Sequence, residues 1–130
     1  MNNLEMASKF ASMDKKQKSF LKSVWPGRIT VVLKRRKGRR LYGADKKTIA
    51  LRIPKNKLIL ELIRKVGNPL TATSANVSGK PPAKCVKDIL KQFQNGKYQP
   101  DTIVDAGISK SAKPSTIIDL TGSKIKILRK

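Results

Sequence analysis

Ser74, Asn76 and Ser78 stand at alternate positions in the stretch Asn68 to Pro82, N-P-L-T-A-T-S-A-N-V-S-G-K-P-P. Two hydroxyls and an amide interleaved with small residues suit phosphate or carboxylate oxygens, because a ligand can approach the backbone where side chains are short. The same residue types also make ordinary polar turns.

Several chemistries are excluded by composition. The chain has no histidine and one cysteine, Cys85. Histidine general bases, Ser-His-Asp triads, H-E-x-x-H zinc sites, cysteine zinc clusters and an intrachain disulfide are therefore ruled out within it. There is no G-x-x-x-x-G-K-S/T loop and no G-x-G-x-x-G fingerprint. The lone cysteine fits a reducing cytoplasm, and no apolar run has the length of a membrane span or the pattern of an export signal. A soluble cytoplasmic protein with no membrane partner is expected.

Thirty Lys and Arg against eight Asp and Glu give a net charge of +22 over 130 residues. That excess points to a polyanion such as RNA, although a lysine-rich solvated surface produces the same number. Its densest part is Lys34, Arg35, Arg36, Lys37, Arg39 and Arg40, with Gly38 among them. This run suits RNA phosphates, resembles a nuclear localisation patch, and is equally compatible with a solvated hairpin loop.

The elements that must position these residues follow from periodicity and punctuation. Asp14 caps a helix running to Val24, with Phe20, Leu21 and Val24 on one face and Pro26-Gly27 as its stop. Ile29 to Leu33 and Thr48 to Ile53 read as strands. Lys57 to Val66, capped by Asn56 and ended by Gly67, places Leu58, Ile59, Leu62, Ile63 and Val66 at helical spacing. Leu70 to Thr73 is expected to be a short strand delivering the serine loop, followed by a helix from Val86 to Phe93. Strands are then expected at Thr102 to Asp105, Thr116 to Leu120 and Lys124 to Leu128. The pattern predicts one α/β domain with a mixed twisted sheet and flanking helices. Residues 14–130 are assigned to it, and residues 1–13 to a poorly ordered N-terminal extension. Trp25 and Pro26 are read as core and turn residues.

The serine loop, Ser74-Ala75-Asn76-Val77-Ser78-Gly79, resembles the S-A-N-x-S-G loop of the Sua5/YrdC family of threonylcarbamoyl-AMP synthases. Four other segments resemble family signatures in the same order: Trp25-Pro26-Gly27-Arg28-Ile29-Thr30, Ala50-Leu51-Arg52-Ile53-Pro54, Pro114-Ser115-Thr116 and Leu128-Arg129. The likeness runs from about Lys15 to Lys130 and implies a YrdC-like fold. The family's P-T-D/E-T-x-Y-G-L segment and its K-x-R motif, which grip nucleotide and threonine, are not found ahead of Trp25. The resemblance is thus to the C-terminal portion of the domain, its N-terminal part missing, and a complementing polypeptide is expected to cover the sheet left incomplete.

The resemblance also implies a reaction. Threonine and bicarbonate form a carbamate whose oxygen attacks the α-phosphate of ATP, giving threonylcarbamoyl-AMP and pyrophosphate for the threonylcarbamoyl-adenosine modification of tRNA. ATP is then a substrate, accompanied by Mg2+. Because the nucleophile belongs to the substrate, positioning and charge neutralisation suffice, and no catalytic side chain is assigned. By the same resemblance Ser74, Asn76, Ser78 and Arg129 bind ATP, while Arg52 and Ser115 bind threonine, the planar guanidinium of Arg52 suiting the two oxygens of its carboxylate. For Arg52 the alternative is a solvated strand residue between Leu51 and Ile53. For Ser115 the alternative is that Pro-Ser-Thr simply opens a strand. Two other functions stay open, a non-catalytic module binding tRNA or double-stranded RNA and a truncated remnant with neither activity.

Overall fold

The computed structural model describes residues 1–38, 41, 45–109 and 114–130. They divide into two units, 1–70 with 114–130 and 71–113. The mixed α/β architecture expected from the sequence is present.

The larger unit is built on a four-stranded mixed sheet of order β2-β1-β3-β4, with β1 Ile29–Lys34, β2 Thr48–Leu51, β3 Thr116–Asp119 and β4 Lys126–Arg129. β1 pairs antiparallel with β2 and parallel with β3, and β3 pairs antiparallel with β4. Alternation sets its buried face: Val31 and Leu33 of β1, Leu51 of β2 and Ile118 of β3 point into one core with Ile53 and Leu120. Leu21, Val31 and Leu33 are its largest fully buried side chains.

Two helices cover that core. α2 spans Lys15–Val24 and starts in a reciprocal capping box, in which Asp14 accepts from the Gln17 amide and the Gln17 side chain accepts from that of Asp14. The Gln17 amide group also donates to the Leu120 carbonyl at 2.8 Å, tying the helix to the end of β3.

α1, Leu4–Phe10, corrects the expectation of a poorly ordered extension. Asn3 caps it, Ala7, Phe10 and Ala11 are buried against the core, and Ala11 bridges to Arg35. Its apolar residues recur at spacings of three and four, the pattern of a core-facing helix.

α3, Lys57–Val66, begins at the Asn56 cap and ends at Gly67 in the left-handed conformation, φ 71°. Of its apolar face, Ile63 is buried while Leu58, Leu62 and Val66 are exposed. The smaller unit contains the serine loop and α4, Val86–Phe93. Two expected strands do not form among the described residues, where 70–73 and 102–105 run without ladder partners. β-branched residues favour extended backbone, but a strand also needs a neighbour to bond.

Candidate functional site

The sheet topology itself gathers the signature segments of the larger unit. β1 and β3 begin where β2 and β4 finish, as the pairs Ile29 with Thr116, Val31 with Leu51 and Ile117 with Arg129 record. Thr30, Arg52, Ser115 and Arg129 consequently share one end of the sheet. The pairs Lys34 with Thr48 and Asp119 with Lys126 lie at the other end.

At the shared end the Trp25-Pro26-Gly27 turn is locked to the strand after β2. The Gly27 amide donates to the Ile53 carbonyl at 2.8 Å, and Arg52 Nε donates to the Gly27 carbonyl at 2.9 Å. Trp25 is buried, and its indole nitrogen donates to the Ile29 carbonyl at 2.8 Å, which supports its reading as a core residue. A β-carbon at Gly27 would overlap the Val24 carbonyl oxygen, so only glycine fits this turn. Arg52 is half-buried and fixed at Nε. Its two terminal nitrogens have no acceptor among the described residues, which leaves a forked pair of donors unused within them.

Ser115 and Arg129 meet directly. Arg129 donates from Nε and Nη2 to the Ser115 carbonyl at 3.1 and 2.9 Å, and Nη2 lies 3.3 Å from Ser115 Oγ. Ser115 Oγ is 3.0 Å from Thr30 Oγ1. Thr30 thus joins the cluster, although no role was assigned to it from sequence; its place as the last residue of the W-P-G-x-x-T segment was the available signal. The ion pairs Lys9–Glu5, Arg64–Glu61 and Lys65–Glu61 lie along α1 and α3 and involve none of these residues.

The serine loop belongs to the smaller unit and is built by polar contacts. Lys80 N donates to the Val77 carbonyl at 2.9 Å, with Gly79 at φ 82°, the third position of a type II turn. Asn76 donates its side-chain amide to the Val77 and Lys80 carbonyls at 3.0 and 2.8 Å, and its Oδ1 is buried without a partner. The Asn76 side chain therefore braces the loop from inside. Ser74 and Ser78 are exposed, and the backbone amides of Ser78 and Gly79 donate to no protein acceptor among the described residues.

Gln92 of α4 clasps the same loop from outside, a contact no sequence pattern signalled. At the start of α4, Asp88 accepts from the Lys84 amide at 3.1 Å, and that bond holds its carboxyl below the ordinary value of 3.8.

The basic run lies away from this end. Lys34 closes β1 at the opposite edge, Arg36 and Lys37 are exposed beside it, and Arg35 donates from Nη1 to the Asp45 carbonyl at 2.9 Å. Arg39 and Arg40 lie outside the described residues.

A family model for Sua5, YciO and YrdC proteins, described as telomere recombination, matches residues 1–130. The chain belongs to the Sua5/YciO/YrdC family. It is 33% identical over 104 residues to the threonylcarbamoyl-AMP synthase of Idiomarina loihiensis, covering 79% of this chain and 54% of that one. The Pyrococcus abyssi Sua5 structure complexed with L-threonine superposes with a TM-score of 0.82 at 31% identity, over 98% of this chain and 37% of that one. E. coli YciO gives 0.81 at 29% identity, over 98% and 61%. This Sua5/YciO/YrdC chain spans about half the length of most curated relatives it matches. The match reaches Met1, which agrees with the packing of α1 and extends the likeness beyond Lys15.

Proposed function

We propose that the chain acts in threonylcarbamoyl-AMP synthesis, from L-threonine, bicarbonate and ATP, for the threonylcarbamoyl-adenosine modification of tRNA in the cytoplasm. The observation that carries this reading is the gathering of Thr30, Arg52, Ser115 and Arg129 at one end of the sheet in a member of this family. Arg52 presents its two terminal nitrogens to the threonine carboxylate, a bidentate match, and the Ser115 hydroxyl, oriented by Thr30, assists there. The Ser74 to Gly79 loop offers hydroxyls and the amides of Ser78 and Gly79 to phosphate oxygens. A carbamate oxygen forms a bond to the α-phosphorus as the bond to pyrophosphate breaks, and the released charge stays on pyrophosphate.

No cluster of three metal-ligating side chains occurs among the described residues. Mg2+ enters as the companion of ATP, bound by phosphate oxygens and water. The remaining grip on nucleotide and threonine is assigned to the family's P-T-D/E-T-x-Y-G-L and K-x-R segments, which can be supplied to this chain as a separate polypeptide. Incubating the chain with threonine, bicarbonate and MgATP, with and without such a polypeptide, tests this by pyrophosphate release. Product in the complemented mixture supports the reading; none in either mixture overturns it.

A second reading, a tRNA- or double-stranded-RNA-binding module, draws on the +22 charge and the exposure of Lys34, Arg36 and Lys37. Phosphate-driven affinity must then be strongest at low salt and fall as salt rises. Absence of RNA binding at low ionic strength removes it.

A further inference from the structure

No described residue of the unit 71–113 is fully buried, and its half-buried apolar side chains include Val77, Ile89 and Phe93. The serine loop therefore leans on directional bonds: the Lys80 amide donates to the Val77 carbonyl and the Ala83 amide to the Ala75 carbonyl, and two side chains add to these. Asn76 braces the loop from within. The other is Gln92, in the last turn of α4. Val77 N donates to Gln92 Oε1 at 3.0 Å, and Gln92 Nε2 donates to the Pro81 carbonyl at 3.0 Å. One side chain thus holds the loop on either side of the Val77 to Lys80 turn.

We propose that Gln92 is a positioning residue that fixes the Ser74 to Gly79 loop in the shape that presents the Ser78 and Gly79 amides to an anionic ligand. The chemistry at position 92 is demanding. The residue must accept from one backbone group and donate to another from the same planar end, which an amide does and a carboxylate, an ammonium or an alkyl group does not. The Val77 amide is the sensitive point. Once it is held by Gln92, the neighbouring Ser78 and Gly79 amides have no protein acceptor among the described residues. Preorganised donors of this kind bind an anion without paying the entropy of ordering the loop on arrival. The proposal rests on the phosphate-binding reading of the loop, and deepens it by naming what fixes the donors.

The test uses the full chain with Gln92→Leu and Gln92→Glu, reading amide hydrogen exchange at Val77 and the affinity for MgATP. Gln92→Leu is expected to speed Val77 exchange and weaken MgATP binding about tenfold each, the worth of one or two lost hydrogen bonds. Gln92→Glu keeps the acceptor for Val77 and loses the donor to Pro81, so it should fall between the wild type and the leucine variant on both measures. Helical circular dichroism and the unfolding transition seen by Trp25 fluorescence should stay in place, separating loop positioning from general destabilisation. Unchanged Val77 exchange in Gln92→Leu, or unchanged MgATP affinity alongside wild-type binding, overturns the proposal. If the wild type binds no MgATP, the ATP reading falls instead, and the hold of Gln92 on the loop is decided by Val77 exchange alone.

Discussion

The two units of this chain are held by different forces. The unit of residues 1–70 and 114–130 is organised around fully buried Leu21, Val31 and Leu33, with its signature residues at the end of a bonded sheet. The unit of residues 71–113 has no buried side chain among its described residues, and its loop is set by amide side chains bonded to backbone. In the first, geometry follows from where apolar surface must go; in the second it depends on a few directional bonds. Damage should therefore spread in one and stay local in the other.

The largest effect should come from the core. Leu33→Ala removes a fully buried side chain and should destabilise its unit by about 3 kcal/mol. Trp25, the only tryptophan, lies in that unit and reports its urea transition directly. An unshifted transition would break the contrast at its strong end. Asn76→Ala should cost the loop about 1–2 kcal/mol of local stability, seen as faster amide exchange at Lys80 and its neighbours. The Trp25 transition should hardly move. A large shift there would show that the two units unfold together.

A smaller effect is expected at a helix cap in the packed unit. Asn56→Ala frees the Ile59 amide and should lower stability by about 1 kcal/mol, visible as a modest shift of the same transition.

The smallest effect is acidic. Asp119 in the packed unit is held below the ordinary 3.8 chiefly by the Thr121 backbone bond, and Asp88 in the other chiefly by the Lys84 bond. A carboxyl lowered on folding contributes its stability above the unfolded value and loses it as pH falls through the folded one. Both contributions are thus complete near neutrality and disappear below about pH 4. Asp88→Asn should remove the part of the acid-induced loss of α4 helicity that Asp88 causes while leaving the Trp25 signal alone; an unaltered acid profile would dissociate Asp88 from that helix.

The sequence was most legible where local rules decide. Helices α2 and α3 carry capping side chains, Asp14 and Asn56, while α4 stands on apolar spacing without a capping bond, and the bounds of α3 and α4 fall where periodicity placed them. The β-branched runs of β1 and β3 likewise stand out. α1 was overlooked because its one capping side chain and small apolar residues give a faint signal, strong only once Phe10 and Ala11 are seen in the core. Residues 70–73 and 102–105 show the converse, runs of extended-favouring residues with nothing to pair with. The signature motifs exposed Arg52, Ser115 and Arg129, but the bonds joining Arg129, Ser115 and Thr30 required the strand order. Gln92 was invisible because its partners lie 15 and 11 residues away, across a loop whose path no local rule sets.

That strand order also tells an experimenter where the protein can be handled. Because the pairs Lys34 with Thr48 and Asp119 with Lys126 lie at the opposite end from Arg52 and Arg129, one pole of the sheet is a natural attachment side. A reporter or surface tether inserted at Gly122-Ser123 would stand a strand length, roughly 13 Å, from Arg129. Immobilised there, the chain would keep its other pole open to whatever polypeptide, nucleotide or RNA is passed over it.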